Sequence, residues 1–454
     1  MSIRPITHGA LGSEIRDIIQ AKYMRPDEIT YEAILHTVDQ DIYLKELVSI
    51  EFNRDYVNNI TDHIVVTFRI SVGVYIKYID AFRGNLELTI RMHYYDRTYD
   101  DRYKLVITNK PTGMTGTALS FYTAEELDKL GMAVIEAQAY SRLVEVMRNT
   151  MTSGVYKYTK VKDVIKTVTL NKVKAIKVDG KVVPVRVDVK QPNNDQIYRH
   201  VQIPTGITVL DVPSYLQNSE YGVYSTGIGT YVQKYPYFLN PNPEDTVFVY
   251  PLYNTSLTDK PGKKLMIYST PDSNTALSDT SYVVDGDIIK VIGNVDSEYI
   301  ENKEENVINA GNTITKSNTG SVMEGTAAVT DTHIAVDKHA YLSTAELDVK
   351  HDGLSGGSYA ANKNNIYVDY TIQAMHRLNT VKVIWKYSNA NLLYPAMPVI
   401  YTYEDRNGTV YKLNGVLQTV FTKYSASYKT NTALLFIKIE SYAEATTTNV
   451  TDLR

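Results

Sequence analysis

The chain carries nine histidines, His8, His36, His63, His93, His200, His333, His339, His351 and His376, and no pair of them forms the HExxH pattern of a zinc-binding helix. His333 and His339 sit at a spacing that suits neither one helix face nor one strand face as a ligand pair, so they read as loop residues. There is no cysteine, which excludes thiolate metal sites, iron-sulfur clusters, disulfides and thiol nucleophiles. Adjacent acids occur at Asp100-Asp101 and Glu304-Glu305. A glycosidase pair needs two carboxyl groups about 5–9 Å apart across a cleft, and neighbouring surface acids do not provide that. Asp285-Gly286-Asp287 lacks the remainder of a calcium loop and suits a hairpin turn. The glycines of Gly222-Val223-Tyr224-Ser225-Thr226-Gly227-Ile228-Gly229 suggest a phosphate loop, but the lysine before Ser/Thr is missing and no buried strand precedes it. They read better as positions of positive φ or close packing. With no GxSxG elbow either, the expectation is a protein that is not an enzyme and holds no metal or cofactor.

The elements that would position these residues are mostly strands. Residues 44 to 110 alternate with period two: Val48, Ile50 and Phe52 against Ser49 and Glu51, then Leu86, Leu88, Ile90 and Met92 against Glu87, Thr89 and Arg91, then Tyr103, Leu105 and Ile107. A longer run over 64–79 has Gly73 in its middle, which predicts a bulge or bend in a small antiparallel barrel or strongly coiled sheet. Thr123-Ala124-Glu125-Glu126 is a capping box opening a short helix that Gly131 would end. Residues 132–148 are compatible with helix or with a return strand on composition alone. Val161, Val164, Ile165 and Val168 have helical spacing and predict a helix over 160–169.

Lysines concentrate over 157–190, around a hairpin expected at Asp179-Gly180; without clustered arginines or interleaved aromatics they read as a solvated face rather than an anion site. Composition then turns to Pro, Asn, Gly and Tyr up to Asn254, and to Ser, Thr, Asn, Asp and Gly over 269–332, interrupted by a hairpin over 282–292. Residues 294–332 look like a long surface excursion. Strands return at 367–372, 381–387, 398–403, 410–418 and 434–440, with Asn407-Gly408 as a two-residue turn. The chain thus reads as mainly β with a few short helices, a β unit at each end and a loop-rich β block between them. The implied domains are 1–150, 151–335 and 336–454, and two similar β units would be a duplication.

Net charge is −4 with 22 % charged residues, which fits neither a nucleic-acid-coating chain nor a disordered acidic one. The N-terminus has no apolar segment of the signal-peptide kind, and no run of 18 apolar residues is free of charge. Assembly in a reducing cytoplasm is expected, and the Asn-x-Ser/Thr triplets at Asn59, Asn254, Asn407 and Asn449 are expected to be chance matches. Tyrosine stands out, with 38 against 8 phenylalanines and one tryptophan. Its apolar ring and polar tip suit surfaces buried against a partner. Tyr215, Tyr221, Tyr224, Tyr231, Tyr235, Tyr237, Tyr250 and Tyr253 mark the stretch where such surfaces are expected.

That same stretch carries a resemblance. Ile203-Pro204-Thr205-Gly206-Ile207-Thr208-Val209-Leu210-Asp211-Val212-Pro213-Ser214-Tyr215-Leu216-Gln217, the glycine segment running on to Thr230-Tyr231, and Val249-Tyr250-Pro251-Leu252-Tyr253-Asn254 resemble the central region of tailed-bacteriophage baseplate hub proteins. Tyr140-Ser141-Arg142-Leu143-Val144-Glu145-Val146-Met147-Arg148, leading to Gly154-Val155-Tyr156 and Val161-Lys162-Asp163-Val164-Ile165, is similar to the joint that follows the first barrel of such hubs. Tyr394-Pro395-Ala396-Met397-Pro398-Val399 resembles their strand entry near the C-terminus, with Ala396 where glycine is usual. The likeness spans 140 to 445.

The resemblance implies two tail-tube-like antiparallel β-barrel domains per chain, with 132–140 a strand closing the first. It also implies a homotrimer forming a pseudo-sixfold ring that joins the tail tube to a central spike in the virion baseplate. Further implied partners are wedge or tape-measure proteins. DNA would pass through the lumen without stable nucleic-acid binding. Tyr215, Gln217, Tyr224, Gly227, Gly229 and Tyr231 would form a packing or interface motif. Another virion structural protein, such as a tube or capsid component, and a cell-wall-binding or cell-wall-degrading tail protein are the alternative expectations.

Overall fold

A computed structural model describes residues 29–80, 86–109, 131–234, 244–269, 281–300, 378–404 and 410–440 apart from a few single or paired positions within them, together with 367, 371, 374–375 and 446–448. The capping box at Thr123, the histidines at 333 and 339, and Tyr235 and Tyr237 lie outside the described residues. The protein is mainly β, with short helices.

The N-terminal unit contains β1 (Ile29–His36), β2 (Asp41–Tyr43), β3 (Glu46–Asp55), β4 (His63–Ser71), β5 (Glu87–Tyr94), β6 (Arg97–Asn109) and β7 (Met132–Tyr140). Alternation does the folding work. In β4, Ile64, Val66, Phe68 and Ile70 are buried, and in β7 Ala133, Ile135, Ala137 and Ala139 face the same core. Each fully buried branched or aromatic side chain there contributes about 1.5–3 kcal/mol relative to exposure. Residues 132–140 are thus a strand, as the resemblance implies. The expected bend at Gly73 takes another form: β4 stops at Ser71, whose hydroxyl accepts the Val74 amide at 3.2 Å, and Gly73 lies in a helical turn, Val72–Val74, that continues as a π-helical segment, Tyr75–Asp80.

The middle unit begins with α1 (Arg142–Asn149), β8 (Met151–Lys160) and α2 (Val161–Val173). Val161, Val164, Ile165 and Val168 are buried on one face of α2, as their spacing predicts. There follow β9 (Lys177–Val178), β10 (Lys181–Val182), β11 (Val185–Val189), β12 (Ile197–Thr208), α3 (Val212–Asn218), β13 (Ile228–Lys234) and β14 (Asp245–Pro251). Strands β9 and β10 pair around 179–180 as expected. Lysines of this region are engaged at the surface, Lys160 with Asp195 at 2.8 Å and Lys162 with Gln191 at 2.7 Å, as a solvated face would have them.

The C-terminal unit comprises β15 (Lys264–Ser269), β16 (Ser281–Asp285), β17 (Ile288–Gly293), β18 (Asp296–Ile300), β19 (Asn379–Lys386), β20 (Pro398–Glu404), β21 (Val410–Ser425), β22 (Thr430–Ile439) and β23 (Thr446–Thr448). Its sheet draws strands from both sides of residue 335. Four expectations are corrected. Residues 296–300, read as part of a surface excursion, form a strand antiparallel to β19, because a main-chain ladder does not require apolar side chains. Tyr367 and Thr371, expected in a strand, are helical, with the Thr371 hydroxyl donating to the Tyr367 carbonyl at 2.7 Å. And β15 runs parallel to both β17 and β20, so the sheet is mixed rather than wholly antiparallel. Glu404 pairs with Val410, so β20 and β21 are joined through 405–409, five residues rather than two, outside the described residues.

The two terminal units repeat one another. Chain order β3, β4, β5, β6, β7 assembles as β3-β4-β7-β6-β5; chain order β18, β19, β20, β21, β22 assembles as β18-β19-β22-β21-β20, every neighbour antiparallel. Even a detail recurs. The Leu105 amide donates to the Leu86 carbonyl at 2.8 Å just before β5, and the Leu417 amide donates to the Met397 carbonyl at 3.0 Å just before β20.

Ala396, in the hub-like strand entry, has φ +53° and is buried in the C-terminal core. The left-handed region costs a non-glycine residue about 1–2 kcal/mol, which is why glycine suits this position. Ala396→Gly is therefore expected to raise the unfolding free energy by about 1 kcal/mol in urea titration; an unchanged or lower midpoint would contradict it.

Candidate functional site: the three-unit junction

The site follows from strand β21. Its first half pairs with β20, Pro398 opposite Val416 to Glu404 opposite Val410, while its second half pairs on the same edge with β3, Thr419 opposite Asp55 to Ser425 opposite Ser49. The change of partner falls at Gln418, where the ladder to β22 shifts register. That irregularity bends the strand and frees its groups for new partners. The Gln418 carbonyl accepts the Tyr56 amide at 3.0 Å, and its side-chain amide donates to the Leu252 carbonyl at 2.7 Å. All three units therefore meet at one residue.

Around it lies a buried polar cluster. Arg54, at the end of β3, donates from Nε to Asp62 Oδ2 at 3.0 Å, from Nη1 to the Ala390 carbonyl at 2.8 Å and from Nη2 to Asn391 Oδ1 at 3.1 Å. Burial is the largest single influence on Arg54 and opposes its charge, but the adjacent Asp62 carboxylate together with Tyr56 and Tyr231 more than offsets it and keeps the guanidinium above its ordinary range. Asp62 also accepts from the Tyr231 hydroxyl at 2.8 Å, and burial, then Asp62, raises the Tyr231 phenol well above its usual value. The Tyr250 hydroxyl donates to the Tyr56 carbonyl at 2.6 Å, and the Tyr56 and Tyr231 rings meet edge to face at 4.8 Å. Gln233 Nε2 donates to the Leu393 carbonyl at 2.8 Å, tying the middle unit to the C-terminal one.

A cavity of about 320 Å³ lies beside this cluster, lined among others by Arg54, Asp62, Arg102, Arg142, Lys234 and Asp245. Its charges are already matched: Arg54 with Asp62, Lys234 with Asp101, and both Arg102 and Arg142 with Glu87. Burial lowers the Lys234 ammonium and raises the Asp245 carboxyl, the two facing each other across the β13–β14 ladder. The arrangement joins units rather than presenting charge to a ligand. Among the described residues no group of three or more metal-ligating side chains occurs, and no helix is long and apolar enough to cross a membrane.

The residues expected to form a packing motif fall in and beside this junction. Gln217 Oε1 accepts the Val223 and Tyr224 amides at 3.0 and 2.9 Å, and its Nε2 donates to the Tyr224 carbonyl at 2.9 Å, closing the loop after α3. Tyr224 is buried, its hydroxyl on the Lys190 and Val249 carbonyls at 2.7 and 3.2 Å. Gly227 has φ +82°, and a Cβ there would lie 2.8 Å from Thr371 Cγ2; a Cβ at Gly229 would lie 2.3 Å from the Tyr250 ring. Tyr231 is fully buried at the cluster itself, and Tyr215 is half-buried. Tyr221, Tyr224, Tyr231, Tyr250 and Tyr253 are all buried within the chain. Tyr231, Tyr250 and Tyr253 pack against other units, while Tyr221 and Tyr224 pack inside the middle unit, which corrects the expectation that these rings await a partner. Arg54, Asp62, Tyr56, Gln233, Asn391 and Gln418 carried no sequence motif; only the uncommon Arg at an inward strand position hinted at a buried pair.

No protein-family model matches the sequence, and no curated protein matches it. Among solved structures the chain is similar to a tail protein from Neisseria meningitidis MC58, at 11 % identity over 90 % of this chain and 96 % of that one with TM-score 0.42. It is also similar to a 43 kDa tail protein of prophage MuSo2 from Shewanella oneidensis, at 7 % identity over 89 % and 97 % with TM-score 0.40. A third similar structure is the Escherichia coli c3393 protein, a component of the type VI secretion system, at 10 % identity over 92 % and 79 % with TM-score 0.39. Scores below 0.5 do not define a common fold.

Two substitutions probe the junction. Arg54→Met leaves the Asp62 carboxylate with the Tyr231 hydroxyl but without its countercharge, and the Ala390 carbonyl without the guanidinium, and is expected to cost about 3–5 kcal/mol in urea unfolding, with Arg54→Met/Asp62→Leu less destabilised than the single variant. A single-variant loss below about 0.5 kcal/mol would contradict the role given to the pair. Gly229→Ala presses on a ring whose hydroxyl is fixed to Tyr56, and a loss of about 1–3 kcal/mol is expected by thermal unfolding; an unchanged midpoint would show that the ring yields.

Proposed function

We propose that this protein is the structural hub at the distal end of a phage tail: a homotrimer whose two repeated β units per chain make a pseudo-sixfold ring between the tail tube and a central spike. The observation that carries the reading is the repetition of one five-strand arrangement, with the two copies fused edge to edge through β21 and β3. A repeat joined in this way acts as two tube subunits in one chain, so three chains supply six similar positions to a sixfold tube while presenting threefold symmetry to a spike. The hub-like motifs support the same reading; Tyr231 and Tyr250 among them bond to the N-terminal repeat, while residues 161–165 and 203–216 supply the core of the middle unit.

In this reading the outward face of the fused sheet lines the channel. It carries Val65, Val134 and Phe421, with Glu51 and Lys423 paired at 2.6 Å. The same face also carries Arg69, Lys382, Lys386 and Lys438, spread over β4, β19 and β22. The protein would be built in the host cytoplasm, carried in the virion baseplate beside wedge or tape-measure proteins, and would have no catalytic role.

Native mass spectrometry of the purified protein, alone or with its tail tube and spike, tests this. A species of three chains is expected. A monomer under every condition, including in the presence of tube and spike proteins, would contradict it.

A further inference from the structure

Strand β8 gives the middle unit a bare edge. Among the described strands it pairs only with β12, and the two form a sheet of their own. The far edge of β12 is closed by a side chain: the Tyr221 hydroxyl accepts the Gln202 amide at 3.2 Å and donates to the His200 carbonyl at 3.4 Å. Those groups point away from β8. In an antiparallel ladder, residues directly opposite one another either bond to each other or both turn outward. Val155 lies opposite Gln202 and Lys157 opposite His200, so their amides and carbonyls also turn outward, and no described residue bonds to them. We propose that an extended segment of a second tail protein adds to this edge as a third strand, its apolar residues meeting those around β8 and its acidic residues the unpaired cations beside them.

Open edges take strands through main-chain hydrogen bonds, while side chains select the partner. Met151, Val155, Tyr158 and Ile197 are 56, 55, 74 and 62 % exposed, four large apolar side chains on one ribbon. Tyr158 also has φ +50°, which a bulky residue adopts only against strain. Inside the chain that strain secures no burial for the ring, and strain of this kind persists where a function uses it. Charge sets the sign of the partner. Lys157 on β8 and Arg199 on β12 are exposed and make no ion pair among the described residues. The nearby Asp195 is taken by Lys160 at 2.8 Å. Asp163 lies in the first turn of α2, where the helix N-terminus favours a carboxylate.

The place of this unit in the fold says where such a protein comes from. Tyr231, Phe248 and Tyr250 of the middle unit share a core with Val416, Val420 and Leu435. Successive side chains of a strand point to opposite faces, so this core lies behind β21, away from the exposed Phe421. The middle unit therefore stands off the face assigned to the channel, and the donor of the strand surrounds the ring rather than filling the tube. That placement, and the donor's being a tail protein, rest on the hub reading; the open edge does not. A second copy of this chain is a poor donor of its own β8. The strand holds two lysines and no acid, so two copies offering it to each other would set like charge beside like.

Hydrogen exchange at Val155 and Lys157 tests the third strand in the unmodified protein. Both amides are expected to exchange freely in the purified protein and at least about tenfold more slowly in purified intact tails. Slow exchange already in the purified protein would give the edge to this chain or to a second copy and overturn the proposal. Presence of the chain in tails with both amides unprotected would overturn the third strand and leave the hub reading standing; absence of the chain from tails would overturn both. Lys157→Glu/Arg199→Glu tests the sign of the partner. With a urea midpoint equal to that of the unmodified protein, this variant is expected to lose the protection at Val155 in tails or to be left out of them, and retained protection would overturn the acidic character of the segment. Tyr158→Gly is expected to raise the urea midpoint of the purified protein while weakening the protection in tails; unchanged protection would overturn the part given to the ring.

Discussion

The ladder between β21 and β3 holds the molecule together, because it turns two separate sheets into one. Seven residue pairs make it, from Thr419–Asp55 to Ser425–Ser49. Each main-chain hydrogen bond contributes only about 0.5–1.5 kcal/mol net. Leaving those groups buried and unpaired would cost more, so the ladder fixes geometry more than it adds stability. Everything else at the junction depends on the strand changing partners at Gln418. Without the register shift there, β21 could not serve β20 and β3 on one edge in succession.

The polar cluster around Arg54 gives that seam its specificity. Arg54 and Asp62 come from the N-terminal unit, Tyr231 and Gln233 from the middle one, and Ala390, Asn391 and Leu393 from the C-terminal one. A buried ion pair is weak evidence of stability, because desolvation offsets most of the attraction. Its geometric demand is stricter: the carboxylate must meet both a guanidinium and a phenol, and the guanidinium must also reach two acceptors on the loop around 390. These bonds form together only when all three units bring their groups within hydrogen-bond reach. Tyrosine suits this work, since one residue supplies both ring packing and a terminal hydrogen bond.

Much of this was legible in the sequence where side chains alternate. Ile64, Val66 and Phe68 announce β4, the valines of α2 announce a helix, and the paired strands around 179–180 follow from the turn between them. The glycines at 222, 227 and 229 were readable as backbone devices, and Ala396 in a glycine position marked its own strain. Elements whose reason lies elsewhere in the fold stayed hidden. Strand β18, Asp296-Ser297-Glu298-Tyr299-Ile300, looks like a loop because its support is a ladder with β19, 79 or more residues away. The junction residues were invisible for the same reason: Arg54 and Ala390 are 336 positions apart, and no local pattern encodes their meeting. The tyrosines were correctly singled out and wrongly assigned, since composition cannot tell a ring that awaits another subunit from one that joins two units of the same chain.

Repetition links this architecture to the proposed role. In the proposed role, a chain holding two copies of one sheet arrangement would supply two similar positions to a ring. Electron cryo-microscopy of the purified assembly bears on whether the two repeats are equivalent building units. A ring of six similar lobes, two from each chain, is expected. An assembly in which the two repeats of one chain occupy dissimilar positions would contradict that equivalence.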